Sequence, residues 1–388
     1  MLLFCLWCIL LAVFTGIPCS YFLYLKRYAQ NHWNLNIDES FLPNVTIMVP
    51  MYNEESVIEL KLMNLAKLNY PKDRLQVLLV NDGSTDNTME EISDFLLNSP
   101  IGFTVINNES RQGKTPALNN ALKYAKGDVV IVSDSDAFLS PDILYKAMPY
   151  FSDQSVGALI SREMLLNPEI SWVSETERLY FDLVYGTIKL GESKIHSTIM
   201  FHGGFAAYRK SLLDKFNTEA DDTGTALDIV QKGKRAIMVP EAICYTFEFS
   251  KWKDKFNIKV RRGMHNLKTW FRCLRLLMKR ELCLPLRIVL PEIFLYVINP
   301  IIFLALLIAS ILLILQNPLL MLFFSSVIII ALLIKKTRIL LCEVIQNNLF
   351  LLLAILNLLL KRQLIRWETA KNPREEVPRE TLSMLGLI

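Results

Sequence analysis

The sequence predicts an α/β domain on a mostly parallel sheet, combined with transmembrane and interfacial α-helices. Three observations carry this. Between residues 44 and 134, β-rich runs alternate with helix-like stretches. The first 25 residues carry no charged side chain. Beyond residue 250 a strongly basic stretch leads into long apolar segments.

The chain has 388 residues, of which 52% are hydrophobic, and a mean hydropathy of +0.30. That average joins a soluble middle, 30–280, to two apolar ends. The middle is long enough for one large α/β domain or two small ones. A net charge of +4 is modest, and no nucleic-acid partner is expected from it. The seven cysteines are scattered, and Cys5 and Cys8 form a CxxC inside an apolar run with no polar partner. Neither a zinc site nor a disulfide framework is expected.

Residues 1–25 form a transmembrane anchor. At about 1.5 Å per residue they cross a hydrocarbon core of roughly 30 Å. No basic n-region or clear cleavage site marks a signal peptide. Lys26 and Arg27 follow at once, which places the middle of the chain in the cytosol. The expected location is the cell membrane, with the domain at 40–250 cytosolic.

NVTIMVP (44–50), QVLLVND (76–82), FTVINN (103–108) and DVVIVSD (128–134) read as strands. Helix-like stretches lie near 54–68, 87–97 and 114–126. This alternation indicates βαβ units and a parallel sheet, whose ligands bind beyond the carboxyl ends of the strands. The residues ending the strands then share one rim. They are Tyr52, Asn53 and Glu54, then Asn81, Asp82 and Gly83, then Asp134 and Asp136. No GxGxxG follows the first strand and no GxxxxGK[ST] occurs, so a dinucleotide dehydrogenase or a P-loop enzyme is not expected.

Asp134 and Asp136 end a strand two residues apart. Such a pair binds Mg²⁺ or Mn²⁺ when phosphate oxygens complete the shell. Taken alone, D-x-D is also common in surface loops. Asp82-Gly83-Ser84 can accept hydrogen bonds from a base or ribose, or cap the following helix, a task Asp86 can fill instead. RQGKTPALNNAL (111–122) opens a helix with a glycine and Lys114. It reads as a diphosphate site or as a plain loop-to-helix junction. Asp221 and Asp222 stand at a helix start, as caps that complement the helix dipole or with one of them a general base.

VPMYNEE, NDGSTDNT, RQGKTPALNNAL, SDSD, HGGFAAYRKSLL, ADDTGTALDIVQKG and VPEA follow one another along the chain. In that order they resemble the membrane-integrated family-two glycosyltransferases, the branch with hyaluronan, chitin and poly-N-acetylglucosamine synthases. The resemblance covers about residues 44 to 270. It implies a GT-A (Rossmann-like) fold and an inverting, metal-dependent hexosyltransferase using a nucleotide-sugar, most commonly UDP-linked. By position, Pro50, Tyr52, Glu54 and Asp82 would hold the nucleoside, with Lys114 near the nucleotide. Asp134 and Asp136 would form the D-x-D, Asp136 the stronger metal ligand for Mg²⁺ or Mn²⁺. Asp222 would be the general base, and Gly233 stands eleven residues later as the family spacing expects. Asp221 replaces the usual glutamate, and it and His202 are candidates for the acceptor side. RWETAKNPR (366–374) resembles the family's tail.

The Gln-x-x-Arg-Trp motif of the processive synthases is not matched. Aligned on Arg261, Ile258 replaces its glutamine and Arg262 its tryptophan. Arg261 and Arg262 remain candidate diphosphate contacts or headgroup contacts. The expected partners are a nucleotide-sugar donor, a lipid-linked or glycan acceptor, and membrane lipids. The alternatives are a processive polysaccharide synthase and a non-catalytic membrane scaffold.

From Lys251 to Arg280 there are eleven Lys or Arg residues and one acid, Asp254. Phe256, Val260, Met264, Leu267, Phe271, Leu274 and Met278 fall on one helical face. Residues 251–283 therefore read as amphipathic interface helices, with a core-packed helix as the alternative. Within a C-terminal membrane region (284–360), 292–315 and 318–334 read as spans and 344–360 as a span or an interfacial helix. Residues 361–388 form a cytosolic tail.

Overall fold

The computed structural model describes residues 1–97, 102–166, 178, 180–247, 252–317, 319–320, 326, 329, 332–361 and 379–388. Most of the expected span 318–334 and the tail motif 366–374 lie outside the described residues.

Among the described residues eight strands form one sheet: β1 (Val45–Met51), β2 (Leu75–Asn81), β3 (Phe103–Asn107), β4 (Val129–Val132), β5 (Phe138–Leu139), β6 (Val156–Leu165), β7 (Ala206–Arg209) and β8 (Arg235–Thr246). Their order is β3-β2-β1-β4-β7-β6-β8-β5. β3, β2, β1 and β4 run parallel, while β7 runs antiparallel to both neighbours. The four strands expected from sequence are the parallel set. From β1 the chain winds outward through β2 and β3, then returns to place β4 on the other side of β1. Strand order reverses between β1 and β4, and a crevice at such a switch point is where open α/β sheets bind ligands. Tyr52 and Asp134 follow the ends of those two strands.

Both faces of the sheet are covered. On β1, Val45, Ile47, Val49 and Met51 pack on one side with α2 (Ile58–Ala66), while Met48 points to the other. β4 splits likewise, Val129 and Ile131 against Val130 and Val132. This period of two, apolar in both phases, is what a doubly covered strand requires. The first face also carries α3 (Thr88–Leu97) and α5 (Ile143–Ala147) through Ile92, Ile143 and Leu144. The second carries α4 (Lys114–Leu122) and, later in the chain, α7 (Asp221–Gln231) and α8 (Trp252–Met278). In β8 the register against β6 shifts between Ser161 and Arg162, opposite Pro240. Proline has no N–H for the ladder, so the VPEA motif marks an irregular step.

Among the described residues three helices are long and apolar enough to cross a membrane: α1 (Leu2–Ala29), α9 (Leu286–Gln316) and α10 (Lys335–Leu359). α1 and α9 lie side by side, with Trp7 Nε1 donating to Ser310 Oγ at 2.8 Å and Phe14 against Phe303. The C-terminal end of α1 docks on α6 (Gly186–Ile195). A Cβ on Gly191 would stand 2.5 Å from the Leu25 carbonyl, so only glycine permits this backbone approach. Within α10, Asn348 and Asn357 each donate to a carbonyl four residues back, which satisfies one N–H of each amide inside the helix.

The apolar stripe of α8 is partly covered by protein. Val260, Met264 and Leu267 pack with Phe350 and Ala354 of α10, and Trp270 and Cys273 enter the domain core. Of the seven stripe residues, Met278 is the most exposed. Along its middle, α8 therefore meets another helix, where the sequence alone favoured the membrane interface.

Candidate active site

The rim expected from the strand ends is assembled. The 133–137 turn after β4 carries Asp134 and Asp136, both half-buried. Asp134 is held from behind, its N–H donating to the Gly203 carbonyl at 2.8 Å. Lys114 enters from the start of α4. Its Nζ lies 2.8 Å from Asp134 Oδ1 and 3.2 Å from Asp222 Oδ2. One ammonium thus bridges acids 88 positions apart in sequence. Burial disfavours its charge, but Asp134 and Asp222 more than compensate and hold its pKa far above the usual lysine range.

The two acids of α7 diverge. Asp221 has φ 44, in the left-handed region that aspartate tolerates better than most residues. This turns its carboxylate away from that of Asp222. Asp221 accepts from Thr115 Oγ1 at 2.6 Å and faces His265 Nδ1 of α8 at 3.3 Å. Burial pushes its pKa up, but hydrogen bonds from His265 and Thr115 win and hold it down at about 2. Asp222 is pushed the other way, by burial and then by Asp134 and Asp221, with Lys114 opposing. Two adjacent carboxylates therefore hold protons with opposite strength. Neither caps α7, which starts at Ala220 without a side-chain cap.

The remaining expected residues fall into two groups. On the β1 side, Tyr52 lies under the Arg111 guanidinium, 4.0 Å from ring centroid to Cζ, a flat and half-exposed pair. Pro50 is buried in β1, and Glu54 is fully buried with its N–H side tied to Thr88 Oγ1 at 2.8 Å. Asp82 is spent on the loop that delivers Lys114. It accepts from Asn108 Nδ2 (3.0 Å), from the Gln112 N–H (2.9 Å) and from the Gly113 N–H (2.7 Å). Asp86, not Asp82, accepts the Thr88 N–H at the start of α3.

On the β6 side, His202 is half-buried, with Nε2 3.1 Å from the Ser161 carbonyl and Nδ1 3.9 Å from Glu163 Oε2. Burial lowers its pKa to about 4, so the ring is neutral at neutral pH. Arg262 lies near enough to Glu163 to favour that carboxylate's charged form. Burial and then Arg262 pull the pKa of Arg261 down to about 10, while Asp221 and Asp134 pull it up.

Sequence reasoning missed Thr115, His265 and Gly203. His265 stands four residues after Arg261, on the same helical face, and that spacing was the available signal. Gly203 lies in the quoted HGGF motif. A Cβ there would stand 2.3 Å from Asp134 Oδ2 and 2.5 Å from Lys114 Nζ. Gly203→Ala is expected to displace both groups. Activity at this site should fall about tenfold, short of the roughly hundredfold cost of a 1 Å misplacement. Turnover compared at equal expression checks this.

Asp134 and Asp136 offer hard oxygen donors. Among the described residues no group of three His, Cys, Asp or Glu side chains gathers to hold a metal alone. A cation here needs donors from a ligand, and Mg²⁺ and Mn²⁺ accept that arrangement when phosphates supply them. The residues present therefore fit such an ion.

Residues 46–216 match the family model described as Glycosyl transferase family 2. The probable glycosyltransferase YdaM of Bacillus subtilis is 27% identical over 244 residues, 60% of this chain and 57% of its own. Poly-beta-1,6-N-acetyl-D-glucosamine synthase of Staphylococcus aureus is 26% identical over 246 residues, 61% of this chain and 58% of its own. The chain thus spans less than two thirds of the length of these relatives. Mannosyltransferase PcManGT from Pyrobaculum calidifontis, solved in complex with GDP-Man and Mn²⁺, superposes with a TM-score of 0.78 at 28% identity. That likeness covers 93% of this chain and 100% of the other. The protein has a GT-A type fold, and its residues 46–216 are similar to glycosyl transferase family 2.

Proposed function

We propose that this protein is an inverting membrane glycosyltransferase that moves a sugar from a nucleotide-sugar to a lipid-linked or membrane-proximal glycan acceptor. The observation that carries this is the placement of Lys114 between Asp134 and Asp222. It sets a cation-side acid and a base-side acid across one site. Tyr52 and Arg111 form a flat platform for the base of the nucleoside, and Arg261 lies on the side where a diphosphate adds negative charge. Asp82 serves the nucleoside through the loop it braces. His202 and Asp221 border the acceptor side, Asp221 by fixing Thr115 and His265.

Asp222 takes the proton of the acceptor hydroxyl. That oxygen forms its bond to the anomeric carbon as the bond to the diphosphate breaks on the opposite face, so the configuration inverts. A divalent cation held by Asp134 and Asp136, when bound, supplies Lewis-acid charge to the departing diphosphate. Lys114 is freed to hold the same charge as the diphosphate competes for its ammonium.

Two donors deserve the first trial. N-acetylglucosamine is the sugar named in the synthase relative, which suggests its nucleotide-linked form as one donor, and the likeness to PcManGT, solved with GDP-Man, suggests GDP-Man as the other. Membranes containing the protein, given a panel of nucleotide-sugars, should release nucleoside diphosphate from one of them in a chelator-sensitive way. No release from any would overturn the reading. Product length with the labelled donor separates addition of one or a few sugars from a processive synthase.

The catalytic domain is proposed to face the cytosol, from the basic residues at 26–27, 251–280 and 335–338. In a variant without the native cysteines, Ser93→Cys in intact cells should be shielded from an impermeant thiol reagent and Asn317→Cys labelled. The reverse pattern would overturn the orientation.

A further inference from the structure

Behind the 133–137 turn lies a charged group that the proposed chemistry does not use. Lys61 sits on α2 with its side chain wholly buried. Its Nζ donates to Ser133 Oγ at 2.7 Å and to the Ala137 carbonyl. One ammonium therefore grips the residue just before Asp134 and the residue just after Asp136. Ser133 Oγ in turn donates to the Gly204 carbonyl at 2.8 Å, which joins this grip to the loop of Gly203.

Asn64, three residues further along α2 and on the same face, extends the hold. Its Oδ1 accepts the Leu139 N–H at 2.8 Å and its Nδ2 donates to the Leu139 carbonyl at 2.9 Å. The other end of α2 is fixed to the nucleoside side of the site, because the N–H groups of Val57 and Ile58 donate to the Glu54 carbonyl. A single helix thus spans the loop after β1 and the acidic turn after β4.

A buried ammonium is costly unless it is paired, and among the described residues Lys61 forms no ion pair. Burial lowers its pKa to about 8, while Asp134, Cys244 and Asp136 nearby favour its charged form. An apolar side chain of the same length would fill this space at less cost, so packing alone does not account for a lysine here.

We propose that Lys61 is a positioning residue for the cation site, fixing the turn so that Asp134 and Asp136 address one divalent ion. This rests on the cation reading given above. Two effects of the ammonium oppose each other. Its positive charge behind two carboxylates weakens their attraction for a cation, whereas its two hydrogen bonds hold the carboxylates in place. The sign of the change on removing it tells which dominates.

Lys61→Met keeps the length and loses the charge and both bonds. For the full-length protein in detergent with UDP or GDP present, Mn²⁺ binding is read from the paramagnetic resonance of free Mn²⁺. It should weaken by about 10- to 100-fold, as for loss of a partner that orients a metal ligand. Unchanged or tighter binding in a variant that still unfolds cooperatively would overturn the proposal. Should Lys61→Met not fold, Lys61→Gln and Ser133→Ala each disturb part of the grip. Weaker binding in both supports the proposal, and unchanged binding in both overturns it. Asp136→Ala separates the two readings. Wild-type protein that binds no Mn²⁺ would overturn the cation reading and this inference together. Binding lost in Asp136→Ala but normal in Lys61→Met would overturn the role of Lys61 alone.

Discussion

Asp136→Ala is expected to abolish sugar transfer while leaving the protein folded and membrane-bound. The side chain is half-buried at the tip of a turn whose backbone is held by other residues. Asp134 donates its N–H to Gly203, and the Ala137 N–H returns to the Asp134 carbonyl at 3.2 Å. Removing the Asp136 carboxylate therefore removes an oxygen donor and leaves the turn in place. With Asp134 alone, a cation would hold the diphosphate through one protein ligand, already shared with Lys114. The departing charge would be left largely without compensation. Transfer assayed in membranes, with the same far-UV spectrum and the same membrane fraction as wild type, checks this. Full activity of Asp136→Ala in chelator-treated membranes would sink the metal role.

The parts of this molecule that were readable from sequence are those set by local chemistry. β1 to β4 are short apolar runs that end on polar residues, and each was placed to within about three residues. The rim followed from them, because strand polarity in a βαβ unit sends every carboxyl end to one side. What escaped was long-range. β7 is four residues, Ala206–Arg209, and nothing in AAYR announces an antiparallel strand wedged between β4 and β6. His265 meets Asp221 across 44 positions, and its spacing four residues after Arg261 is the one local feature that sets it apart from a surface histidine. The α8 stripe was read correctly as a face but not for what covers it. Its cover, Phe350 and Ala354, lies in a segment whose own role the sequence left open. Asp82 shows a different limit. A strand-end acid beside a glycine turn suits a ligand and a brace equally well, and here its carboxylate is engaged by Asn108, Gln112 and Gly113.

Asp222→Asn is expected to bind nucleotide-sugar and metal normally and to transfer sugar at least about a hundredfold more slowly. Asparagine keeps the size and one oxygen but cannot take the acceptor proton at neutral pH. Loss of a helix cap, the bland account of an acid at this position, would cost only about 0.5–2 kcal/mol of stability. That account has little footing here, because α7 starts without a side-chain cap and Asp222 reaches Lys114 instead. The environment also suits a base. Burial, Asp134 and Asp221 raise its proton affinity above that of an ordinary carboxylate, and Lys114 limits the rise. The sign for activity follows. The deprotonated form is the working form, so wild-type transfer should fall as pH drops through this raised pKa, at a pH above the usual carboxylate range. Lys114→Met should move that limb to higher pH. Residual transfer by Asp222→Asn should lack the limb altogether, since nothing at that position titrates. Asp221→Asn should be milder, because it keeps a hydrogen-bonding oxygen for Thr115 and loses only the charge that faces His265. Near-wild-type transfer by Asp222→Asn at equal expression would leave the mechanism without a base and return this acid to a structural role beside Lys114.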